Sequence, residues 1–130
     1  MIVLDASAAV DWLLQTPAGR LVENRIYSRN ETLHAPHLLD LEVAQVLRRL
    51  VAQGVVTGLR AQQAVEDLLD LRIMRYPHDV LLSRVWQLRH NFSAYDAAYI
   101  TLAEELGAVL VTRDGRLASN SGHSASIELF

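Results

Sequence analysis

Two short apolar runs stand near opposite ends of the chain, Ile2-Val3-Leu4 and Ala108-Val109-Leu110-Val111-Thr112, and neither has a polar side of its own. A strand without a polar face is buried on both faces, as in a parallel sheet covered by helices on each side. Parallel strands also need long crossovers, usually helical, and the stretch between the two runs reads that way. Leu39, Val43, Val46, Leu47 and Leu50 recur at helical spacing, predicting a helix over 38–53 with Gly54 at its C-terminal end. Ser7 is expected to cap a helix over 8–15, with Pro17 and Gly19 as breaks before a second piece through Leu21, Val22 and Ile26. Thr57 opens a helix through Leu69, residues 80–89 are helical, and Ser93 begins a helix to Leu106 that Gly107 ends. Short strands are expected at 32–35, 73–76 and 127–130, with a polar loop at 119–124. The expectation is an α/β fold with a central, largely parallel sheet, in one domain over residues 1–130.

Composition narrows the chemistry. There is no cysteine, which excludes disulfides, thiolate catalysis and Cys-based metal sites. All 12 basic residues are arginine, which removes Schiff-base and P-loop lysine chemistry. The formal charge of −3 gives no global field for attracting nucleic acid, so any such contact must use local arginines. No apolar run approaches the ~20 residues of a membrane span. The first residues carry no basic segment before an apolar run, so the expectation is a soluble, cytoplasmic protein.

Most acids lie where a solvated helix face would put them, as with Glu66, Asp67 and Asp70. Four do not. Asp5 ends the first buried strand, and Asp114 lies two residues past the AVLVT strand. The carboxyl edge of a parallel sheet is where ligands bind. Glu42 sits early in the helix after the second strand, and Asp96 in the first turn of its helix, both beside an apolar stripe. Gathering carboxylates raises their pKa values and costs free energy. Helix N-termini offset part of it. A hard divalent cation such as Mg²⁺ or Mn²⁺, suited to phosphate chemistry, offsets the rest. Three of the acids also have a plainer role open to them: a helix cap for Asp5, a capping box with Ser93 for Asp96, a turn for Asp114.

The segments Ile2-Val3-Leu4-Asp5-Ala6-Ser7, Leu41-Glu42-Val43-Ala44, Tyr95-Asp96-Ala97-Ala98-Tyr99 and Leu110-Val111-Thr112-Arg113-Asp114-Gly115-Arg116-Leu117 give the chain a family look. It resembles the PIN-domain ribonucleases and, within them, the VapC-type toxins of bacterial type II toxin–antitoxin systems, over essentially its whole length. The resemblance implies a PIN-like three-layer α/β/α fold and a Mg²⁺-dependent endoribonuclease, with Mn²⁺ as substitute, cutting structured RNA such as transfer RNA. Asp5 and Asp96 would be the chief metal ligands, with Glu42 and Asp114 completing the acidic pocket and Ser7 and Thr112 supporting it. It also implies a homodimer and a cognate antitoxin whose C-terminal segment lies in an apolar groove and puts a basic side chain near the acids.

Other residues carry less. Arg113 and Arg116 flank Asp114 and are candidates for substrate phosphate contacts. Arg48 and Arg49 read as the solvated side of their helix. His34 and His37 are separated by Pro36, so no zinc pair is expected. Tyr95 and Tyr99, one turn apart, read as packing residues, and Asn91 and Ser93 as neighbours of the site. Among other phosphate-handling α/β domains, a dehalogenase-type phosphatase would want an acid at position 7 and a receiver domain a lysine. The alternative outside enzymes is a non-catalytic acidic interaction domain that binds an arginine-bearing partner.

Overall fold

The apolar runs become the middle of one sheet. Five strands, β1 (Ile2–Leu4), β2 (Leu33–Pro36), β3 (Ile73–Tyr76), β4 (Val109–Thr112) and β5 (Ser126–Leu129), lie in the order β3-β2-β1-β4-β5, every neighbour parallel. The structure, a computed structural model, describes Met1–Phe130. The connections are α1 (Ala6–Leu13), α2 (Pro17–Ser28), α3 (Leu38–Ala52), α4 (Gly58–Asp70), a 3-10 turn (Asp79–Leu81), α5 (Leu82–Gln87), α6 (Ala94–Leu106) and α7 (Gly115–Ser119). Helices α1 to α4 pack on one another, with α1 and α3 against strands, while α5, α6 and the 3-10 turn form the opposite layer and α6 spans β1, β2 and β4. This is the three-layer α/β/α arrangement. No helix is long and apolar enough to cross a membrane.

β1 is central, and all three of its residues are wholly buried. Truncating Leu4 to Ala there costs about 2–5 kcal/mol, because the cavity cannot collapse. The chain winds outward from β1 in one direction through β2 and β3, then returns to place β4 on the other side. The crevice at the carboxyl ends of β1 and β4 is therefore the sheet's topological switch point. Leu4 registers with Val111, so Asp5 and Thr112 meet there.

Several boundaries differ from expectation for identifiable reasons. Asp5, not Ser7, caps α1: its carboxylate accepts from the Ala8 N–H, and the helix starts two residues early. Pro17 and Gly19 begin α2 rather than break the chain. Pro17 occupies the first turn, where its missing N–H is harmless. A side chain at Gly19 would collide with the Asp11 carbonyl, so α1 and α2 meet backbone to backbone. The segment 80–89 is split into the 3-10 turn and α5. Asp114 opens the short α7 by accepting from the Arg116 N–H, where a plain turn was the simpler expectation. Tyr95 is exposed and does not pack; Tyr99 does, at 2% exposure.

Candidate functional site

A cleft of about 590 Å³ opens at the switch point, and Asp5, Glu42, Asp96 and Asp114 all line it. Asp5 arrives on the end of β1, Glu42 on the second turn of α3, Asp96 on the first turn of α6, and Asp114 at the start of α7. Ser93 caps α6, its hydroxyl accepting from the Asp96 N–H as one half of the expected capping box, while the Asp96 carboxylate makes no return bond to the Ser93 backbone.

Asp5 is the most constrained of the four, at 5% exposure. Ser7 donates its hydroxyl to Asp5 Oδ1 at 2.7 Å, and Thr112 donates to Oδ2. Both hydroxyls also accept from the following loop: Ser7 from the Arg113 N–H at 2.9 Å, Thr112 from the Asp114 N–H at 2.9 Å. Two small side chains thus fix one acid and the backbone that carries another. Burial pushes the Asp5 carboxyl above the ordinary aspartate range; the bonds from Thr112, Ala8 and Ser7 oppose that only in part, and the Asp114 charge adds to it.

Burial also raises Glu42, against the Tyr99 hydroxyl, which donates to Glu42 Oε1 at 2.6 Å. The charges of Asp96 and Asp5 push Glu42 the same way. Asp96 is raised by burial and by Asp114, with Arg116 pulling it back. Asp114 goes the other way, held low by a forked bond from Arg116 whose shorter arm is 2.6 Å.

The cleft suits a hard cation by the chemistry of its donors, which are carboxylate oxygens, three of them held above their usual range by burial. It is not a finished coordination shell. No three acidic or histidine side chains stand close enough together to hold an ion as they are. Glu42 is turned to Tyr99 and Asp114 to Arg116.

The arginines divide. Arg116 borders the cleft. Arg113 does not: its guanidinium binds Asp11 at 2.7 Å and the Phe130 carbonyl at 2.7 Å, tying α1 to the end of β5. Asn91 reaches the Ser121 carbonyl instead of the site. Four lining residues that sequence reasoning missed are Tyr99, Asp11, Gln45 and Arg49. For Gln45 and Arg49 a signal existed, since they repeat from Glu42 at helical spacing. For Asp11 there was none beyond a place on the first helix.

The family model described as PIN domain matches residues 2–122. Ribonuclease VapC12 of Mycobacterium tuberculosis is 45% identical over 129 residues, covering 99% of this chain and 98% of its own length. Among solved structures, PAE2754 from Pyrobaculum aerophilum superposes with a TM-score of 0.69 at 26% identity, over 97% of this chain and 81% of that one. Mycobacterium tuberculosis VapC20, described as a Sarcin-Ricin loop cleaving toxin, gives a TM-score of 0.69 at 16% identity, over 95% of this chain and 97% of that one, and so speaks to the fold.

Proposed function

The chain belongs to the PIN-domain family, with VapC ribonucleases as relatives over nearly its whole length, and from that premise we propose that it is an endoribonuclease toxin using Mg²⁺, or Mn²⁺ in its place. The observation that carries the reading is the meeting of Asp5, Glu42, Asp96 and Asp114 in one cleft at the sheet's switch point. Asp5 and Asp96 would be the chief ligands, with Glu42 and Asp114 completing the set. Once bound, the ion supplies polarisation of the phosphoryl group and stabilisation of the leaving oxygen.

The chain's own residues do the rest. Ser7 and Thr112 hold Asp5 in one rotamer, and Tyr99 does the same for Glu42. A half-buried carboxylate with a raised pKa, Glu42 or Asp96, takes the proton of the attacking water. The water oxygen bonds to phosphorus in line with the departing ribose oxygen, the P–O bond breaks, that oxygen takes a proton from bulk water as it leaves, and the carboxylic acid gives its proton back to solvent. Arg116, released from Asp114, is positioned to meet a substrate phosphate.

Structured RNA such as transfer RNA, a homodimeric assembly, a cytoplasmic location and a neutralising antitoxin complete the proposal. The test is incubation with total cellular RNA in Mg²⁺, in Mn²⁺ and in chelator, followed by end mapping. Discrete new ends that require the ion support the reading; none with either ion contradicts it.

One observation favours the second reading, an acidic module that binds an arginine-bearing partner. Asp114 and Asp11 already accept guanidinium groups here. Such a module would cleave no RNA at any Mn²⁺ concentration.

A further inference from the structure

Helix α3 carries a stripe into the cleft that continues well past Glu42: Gln45, Val46, Arg49 and Leu50 all line the same space. At 1.5 Å of rise per residue, the Cα of Arg49 lies about 10 Å further along the helix than that of Glu42. Two arginines border the cleft, Arg49 and Arg116. Arg116 commits its guanidinium to Asp114. Arg49 is exposed, and its side chain makes no hydrogen bond or ion pair. A polyanion entering a cleft lined with acids is repelled along its length, so a free cation at the far end of the stripe matters more than a surface arginine ordinarily does.

We propose that Arg49 is a substrate-positioning residue, holding a non-scissile phosphate of the RNA so that the strand runs along α3 toward the four acids. This rests on the RNA-cleavage reading above. The contact is a forked, charge-assisted bond that the planar guanidinium suits. Because it stands about two turns along α3 from Glu42, it acts on binding and leaves the chemical step alone. Arg48, the adjacent exposed arginine, does not line the cleft and serves as the internal control.

Two measurements decide it. In cleavage of an RNA identified by end mapping, Arg49→Ala should raise KM about tenfold with kcat preserved. Arg49→Lys should recover part of the loss, and Arg48→Ala should match wild type. In equilibrium binding of bulk transfer RNA, made in an Asp96→Asn background to prevent cleavage, Arg49→Ala should make the plot of log affinity against log salt shallower by about 0.7–0.9. An unchanged salt slope, or an equal loss from Arg48→Ala, would overturn the assignment. Absence of any cleavage by wild type would count against the nuclease reading, and the salt slope would still decide Arg49.

Discussion

Tyr99 and Glu42, on different helices and 57 residues apart, meet through a 2.6 Å hydrogen bond in which the buried phenol donates to the half-buried carboxylate. Burial and the neighbouring Glu42 charge push the Tyr99 hydroxyl well above its ordinary range, so it remains a donor at any pH the protein meets. It fixes which way Glu42 points, and it leaves the other carboxylate oxygen free for the cleft. Tyr99→Phe keeps the ring and removes that direction. The expected result is a fall in kcat of about tenfold with a stability loss of about 1 kcal/mol. Single-turnover cleavage and a thermal melt check it, and an unchanged rate would show that Glu42 does not need its partner.

Asp5 caps α1 and accepts two hydroxyls, yet burial raises its pKa, so its charge costs stability when nothing positive is near. Asn at this position keeps an acceptor for the Ala8 N–H and for Ser7, and the Thr112 hydroxyl has Ser7 Oγ at 3.4 Å as another partner. In excess chelator, Asp5→Asn should melt no lower than wild type, as read by calorimetry. A drop of several degrees would mean the acid is there to hold the fold.

These two acids also show what a sequence can and cannot reveal here. A strand with no polar face has one place to go, and its end lies at the sheet edge; Asp5 and Asp114 were therefore legible from the apolar runs before them. Asp96 was legible because Ser93 marks where α6 begins. The hydroxyl of Tyr99 was not, because a tyrosine on an apolar stripe reads as packing and its partner comes from α3. Arg113 was not legible either, since its partners Asp11 and the Phe130 carbonyl are brought to it only by the sheet order. For α1 both Ser7 and Asp5 stood open as the cap and the fold uses Asp5, while the helix that Asp114 caps was not expected, because carboxylates that serve a site also serve the backbone next to them.

Arg113 is occupied by α1 and the C-terminal end, which makes it an anchor. Arg113→Ala should lower stability by about 1 kcal/mol and leave the KM for RNA near the wild-type value. A raised KM with an unchanged melting temperature would assign it to the substrate instead.

His34 lies in β2 at 6% exposure, its ring bonded to Thr32 and Tyr76. Burial lowers its pKa below the ordinary 6.5, so the folded protein resists a proton that the unfolded chain accepts. Its contribution to stability is complete above 6.5 and is lost as pH falls through the lowered value. As pH falls below 6.5, the melting temperature of wild type should therefore drop relative to that of His34→Gln, the raised cleft acids acting alike in both proteins. Parallel curves for the two proteins would exclude His34 as the source.

The central claim is that the acids in the cleft do the work of cutting RNA, and Asp96 tests it with least disturbance, since its backbone cap comes from Ser93 and Asn keeps the side chain's shape. The decisive measurement is the rate of Mn²⁺-dependent RNA cleavage by Asp96→Asn beside wild type, with circular dichroism confirming that both are folded. Loss of cleavage in a folded variant is the predicted result. Cleavage at the wild-type rate would contradict the account.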